Sequence, residues 1–168
     1  MHALAAAIRD AGGDVDGIVG FSQGAAVAAL VAAALEHPHR SPPSSSPSSP
    51  SSTSSPADWS WVSALREANG GRPLRFCVLY SGFYAPLDSL RWLYEPPVAT
   101  PTLHFLGSLD SVVEESRSRG LVDRCHDPTV LVHPGGHYVP VAKDWVMPLV
   151  GWLRQRYDES NAESKETL

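Results

Sequence analysis

Two cysteines in 168 residues are too few for a disulfide framework, and Cys77 and Cys125 are too far apart in the chain for a zinc-binding pair. A reducing compartment, the cytoplasm, is the expectation. Lysine and arginine total 13 against 18 acidic residues, a net charge of -5, and they form no cluster able to neutralise phosphates. That argues against a nucleic-acid partner. The opening Met1-His2-Ala3 has neither the basic start nor the sustained apolar core of a secretory signal. The alanine-rich run Gln23 to Leu35 follows a strand and a turn, so it is expected to be a buried helix of the fold and not a membrane span.

What the chain does hold is enough apolar residue, 43%, for one globular domain. Between residues 40 and 56 almost every residue is Ser or Pro, a composition that cannot bury apolar surface and is expected to stay disordered. An inert loop expansion is the plainer account of this insertion; a phosphorylated or proline-recognition segment is the alternative. The domain is expected over residues 1–157, with a final helix from Val141 to Arg156 and a frayed polar tail at 158–168.

The most informative stretch is Gly20-Phe21-Ser22-Gln23-Gly24. Val15 to Phe21 has the short apolar pattern of a buried parallel strand, and the alanine-rich segment after Ser22 is a strong helix former. A serine between glycines at a strand-to-helix junction is a nucleophile elbow. The turn holds the serine in a strained conformation, and the flanking glycines leave room for strand and helix to approach. The backbone N–H of Gln23, at the positive end of the helix dipole, is the expected oxyanion donor.

An acid and a histidine follow, each just after a strand-like segment. Pro101 to Gly107 leads to Asp110, and Asp127 to His133 leads to Pro134-Gly135-Gly136-His137. The order Ser22, Asp110, His137 suits a nucleophile, an orienting acid and a base. His133, at the end of a strand, is the rival base, and Asp88, one strand earlier, the rival acid. Cys77 lies inside the strand Leu74 to Tyr80, where a thiol is ordinarily inert. Phe83, Tyr84, Trp92 and Tyr94 follow that strand, and with Tyr138 they are candidates for an acyl pocket; ordinary packing is the equal alternative.

Four motifs in order carry a resemblance: Gly-Phe-Ser-Gln-Gly-Ala at 20–25, Ser-Gly-Phe at 81–83, Gly-x-x-Asp-x-Val-Val at 107–113 and His-Pro-Gly-Gly-His-Tyr-Val-Pro at 133–140. From about Ala3 to Arg156 the chain resembles the family of serine hydrolases abbreviated FSH, common in fungi. The resemblance implies an α/β class chain, the C-terminal portion of an α/β-hydrolase whose mostly parallel sheet is flanked by helices. It implies an esterase or thioesterase with Ser22, Asp110 and His137 as nucleophile, acid and base, and no metal or organic cofactor. The substrate would be a small ester or an acyl thioester, in some members bound to a carrier protein.

The departure from the family is at the front. Only one helix-like segment, Ala3 to Ala11, precedes the elbow strand, so the first strands and the His-Gly loop that supplies a second oxyanion donor are absent from the sequence. Loss of one such donor costs on the order of 10²–10³ in turnover. The elbow strand is expected at a bare sheet edge. An N-terminal truncation is the expectation, with a shortened protein completed by a partner chain as the rival. Three functions stay open: a serine esterase or thioesterase, a non-catalytic binding or scaffold remnant of one, and a lipase-like or peptidase hydrolase of another family.

Overall fold

A computed structural model describes residues 1–36 and 58–166; the Ser/Pro-rich insertion at 40–56 lies outside the described residues. The chain begins with α1 (His2–Asp10), β1 (Gly17–Phe21) and α2 (Gln23–Leu35). Beyond the insertion come α3 (Ser60–Ala68), β2 (Phe76–Tyr80) and a 3₁₀ helix at Asp88–Tyr94. The last elements are β3 (Thr102–Gly107), α4 (Glu115–Val122), β4 (Thr129–His133) and α5 (Lys143–Glu166).

The four strands form one sheet in the order β1-β2-β3-β4, with every neighbouring pair parallel. The central strands β2 and β3 are short apolar runs because helices cover both faces of the sheet there. Side chains alternate across the sheet, so β2 divides between two cores. Cys77 and Leu79 join the core built by α1, α2 and α3, which includes Ala29, Leu35 and Leu65. Val78 and Tyr80 face the other way, with Leu103 and Phe105, under Trp145, Leu149, Trp152 and Leu153 of α5. There the Tyr80 and Phe105 rings stack with centroids 4.5 Å apart. The small side chains of α2 let its backbone lie close to the sheet, and ten of its residues from Ala25 to Leu35 are buried.

β1 stands at the edge of the described sheet. Its Ile18 packs into the α1–α3 core. Val19 and Phe21 point to the other face, where they are 62% and 39% exposed, so the apolar edge foreseen from the sequence is present in the fold.

Two expectations need correcting. Residues 158–166 are not a frayed tail: α5 continues through them to Glu166. Hydrogen bonds from Gln155 and Arg156 to Glu159 lie at helical spacing along the exposed face where this stretch begins. The two glycines flanking Ser22 are also unequal. A Cβ on Gly20 would sit 2.5 Å from the Gly24 carbonyl oxygen and 2.7 Å from the Ala25 backbone, whereas a Cβ on Gly24 would meet nothing within 4 Å among the described residues. The close approach of strand and helix depends on Gly20.

Candidate active site

Parallel strands bring their carboxyl ends to one edge, and three of those ends carry the three candidate groups. Ser22 follows β1 directly with φ 54° and ψ -121°, a left-handed conformation that costs a non-glycine residue free energy. Surrounding bonds hold it there: its N–H donates to the Tyr80 carbonyl at 2.8 Å, and its own carbonyl accepts from Ala25 and Ala26 at the start of α2. The Gln23 N–H lies in the first turn of α2, where helix geometry provides no backbone acceptor.

Asp110 lies three residues beyond β3, and His137 four beyond β4. The two loops are tied together, since Ser108 N–H donates to the His133 carbonyl and Leu109 N–H to that of Gly135. Gly107 makes the approach possible: a Cβ there would lie 2.6 Å from the carbonyl oxygens of both Gly135 and Gly136.

The result is a continuous polar chain. His137 Nδ1 is 2.8 Å from Asp110 Oδ2, and His137 Nε2 is 2.9 Å from Ser22 Oγ. A carboxylate only accepts, so Nδ1–H is the donor to Asp110, and Nε2 is left to accept from the Ser22 hydroxyl. The Phe21 ring lies against the imidazole, centroids 4.7 Å apart. The Asp110 side chain is 1% exposed and that of His137 17%, so a reagent can reach the serine–histidine end while the carboxylate stays dry.

Asp110 is held as an anion. Burial raises its pKa, but hydrogen bonds from His137 and from the Val113 and Val112 N–H groups help bring it below the usual carboxylate value. The two backbone donors reach Oδ1 at 2.9 and 2.8 Å. Such a chain can draw a proton from a serine hydroxyl onto an imidazole and steady the imidazolium that results.

The rivals lie elsewhere. Asp88 opens the 3₁₀ helix on an exposed surface. His133 is buried between the rings of Tyr138 and Trp145, with neither ring nitrogen hydrogen-bonded. Burial pushes its pKa down, partly offset by the Asp110 charge. Burial, with a smaller contribution from Cys125, pushes the Cys77 thiol well above its ordinary pKa. Of the aromatic candidates, Phe83 lies under the Arg117 guanidinium and Tyr84 under that of Arg124, at 4.5 and 3.8 Å from the ring centroids. Tyr84 also packs edge-on against buried Tyr94, and Trp92 against Trp59. Tyr138 is half exposed beside His133.

The model of the family described as serine hydrolase (FSH1) matches residues 1–149 of this chain. The chain belongs to the FSH1 serine hydrolase family. Among relatives of this FSH1 member, family of serine hydrolases 2 of Saccharomyces cerevisiae is 31% identical over 146 residues, covering 85% of this chain and 54% of that protein. Esterase OVCA2 of Danio rerio is 34% identical over 143 residues, covering 84% of this chain and 50% of its own length. The FSH1 chain therefore spans about half the length of these two relatives. Among solved structures, Zea mays acyl-protein thioesterase 2 superposes with a TM-score of 0.58 over 92% of this chain and 64% of that one. At 18% identity this likeness is one of fold, and with the parallel sheet flanked by helices it gives the FSH1 chain an α/β-hydrolase fold. No helix among its described residues is long and apolar enough to cross a membrane.

Proposed function

We propose that this FSH1 family chain hydrolyses a carboxylic ester or thioester through an acyl-enzyme on Ser22. The observation that carries the reading is the hydrogen-bonded chain from Ser22 Oγ through His137 to Asp110. Ser22 Oγ attacks the substrate carbonyl as its proton passes to His137 Nε2, and Asp110 steadies the imidazolium. The Gln23 N–H donates to the tetrahedral oxyanion, aided by the dipole of α2. His137 returns the proton to the departing alcohol or thiol, leaving Ser22 acylated. A water that gives its proton to the same nitrogen then releases the acid and restores the hydroxyl.

The substrate is a small ester or an acyl thioester, a carrier-bound one included, with Phe83, Tyr84 and Tyr138 as the side chains proposed to border its acyl group. The cytoplasm is the compartment we assign, in keeping with Cys77 and Cys125 being buried as thiols.

A fluorophosphonate probe tests the reading on the chain as it stands. Covalent labelling that disappears in Ser22→Ala is the expected result. A soluble, cooperatively folding chain that takes no label would overturn the catalytic claim and leave the binding or scaffold role as the better account.

A further inference from the structure

The loop that carries His137 closes on itself through a side chain. The Tyr138 N–H donates to the Gly136 carbonyl at 3.1 Å, a three-residue turn with His137 at its centre. From the end of that turn the Tyr138 ring folds back across Gly135, where a Cβ would lie 2.6 Å from ring atoms Cε1 and Cζ. The ring reaches on to buried His133, centroids 5.1 Å apart and planes tilted by 58°. Trp145 of α5 meets the same imidazole edge-on, with centroids 5.8 Å apart.

Backbone strain does not account for the glycine at 135, because its φ lies outside the left-handed region. The three atoms nearest to a Cβ there all belong to the Tyr138 side chain, whereas at Gly136 a Cβ would meet only the Leu109 carbonyl oxygen, at an ordinary 3.5 Å. Glycine at 135 therefore makes room for the Tyr138 ring. His133 is 1% exposed, yet neither ring nitrogen has a hydrogen-bond partner among the described residues, so it serves here as an aromatic surface. The Gly135 carbonyl also accepts the Leu109 N–H, one residue before Asp110. The ring thus lies over the junction of the loops that carry the acid and the base.

We infer that Tyr138 is a positioning residue, a latch whose ring, set over Gly135 and against His133, holds the turn that presents His137 to Asp110 and Ser22. The inference rests on the reading of His137 as the base and goes beyond a pocket role for Tyr138. At 51% exposure the residue keeps a free surface, so the latch does not use up the ring proposed to border the acyl group. It acts through the backbone of the turn, which it ties to β4 by way of His133 and, through Trp145, to α5.

Gly135→Ala is the informative variant, because the obstacle to its methyl is the far end of a side chain able to swing aside. The methyl displaces the ring and the chain still folds. Tyr138→Ala removes the ring outright, and Tyr138→Phe keeps it. The first readout does not depend on turnover: the proton that His137 Nδ1 donates to Asp110, 2.8 Å away, gives a far-downfield proton NMR resonance, assigned by its loss in His137→Gln. That resonance is expected to broaden or vanish in Gly135→Ala and Tyr138→Ala and to persist in Tyr138→Phe. The second readout is the fluorophosphonate labelling rate at neutral pH, expected to fall roughly 10–100-fold in the first two variants, as for a misplaced base. The double variant should label no more slowly than Tyr138→Ala, since the methyl then meets no ring. Urea unfolding of the same samples separates loss of position from loss of fold.

A parent-like resonance in both Gly135→Ala and Tyr138→Ala would overturn the inference. So would labelling losses that add in the double variant, or that fall only as far as stability falls. A resonance weakened in these two variants of a chain that takes no label at all would uphold the latch while removing the catalytic reading.

Discussion

Replacing Asp110 by asparagine changes one heavy atom and almost no volume, which makes it a sharp test of the relay. Asparagine can still offer one oxygen to the Val112 and Val113 N–H groups that now bond to Oδ1. Its amide nitrogen then faces His137 Nδ1, 2.8 Å away in the parent chain. Two donors cannot share that contact, so the imidazole proton moves to Nε2. Nε2 lies 2.9 Å from Ser22 Oγ and, once protonated, can no longer accept the serine proton. The general base is lost although every heavy atom stays in place. The expected fall in rate is about 10⁴-fold, or roughly 5.5 kcal/mol of transition-state stabilisation. The alternative rotamer keeps the base but turns the amide nitrogen toward two backbone N–H groups, and the fold then loses on the order of 1–3 kcal/mol. The assay is the rate of fluorophosphonate labelling, paired with urea unfolding of the same samples. Labelling within tenfold of the parent rate, with unchanged stability, would refute the tautomer argument. The companion Asp88→Asn, at an exposed position outside the relay, should label at the parent rate; loss there instead would move the acid to Asp88.

Two further perturbations test how the fold holds the site. Gly20→Ala drives a methyl group into the Gly24 carbonyl and the Ala25 backbone, so it should abolish labelling or folding, whereas Gly24→Ala should leave labelling within about twofold. Equal behaviour of the two variants would disprove the asymmetry. His104 is buried in β3 beside the Thr102 hydroxyl, and burial pushes its pKa down to about 4. The unfolded chain takes up that proton below about pH 6.5 and the folded chain does not, so stability is full above 6.5 and falls as pH drops toward 4. The loss is about 3 kcal/mol, read as a falling urea midpoint that His104→Gln should flatten. A midpoint that is flat in the parent chain across this window would contradict it. The loss of the Asp110 anion belongs to lower pH, since its carboxyl titrates below the usual value.

The strands were legible because a strand buried on both faces leaves a continuous apolar run, as in Phe76 to Tyr80 and Thr102 to Gly107. Ser22, Asp110 and His137 were legible for a related reason: each falls shortly after such a run, and parallel strands collect those ends at one edge. The 3₁₀ helix at Asp88–Tyr94 and helix α4 left no clear trace. α4 is a short helix of mixed charge with Gly120 inside it, held against the sheet by Leu121 and Val122. The polar end of α5 was hidden because a helix without an apolar stripe looks like a tail.

The relay joins residues 115 positions apart and hangs from strands that alternate with helices. Ser22 needs β1 and α2, Asp110 needs β3, and His137 needs β4 docked on β3. Because the relay needs all of these distant pairings at once, reactivity of Ser22 is a measure of how much of the population is fully folded. An active-site label applied across a denaturant series would count native molecules directly, and would expose any partly unfolded form that keeps its helices after the relay has come apart.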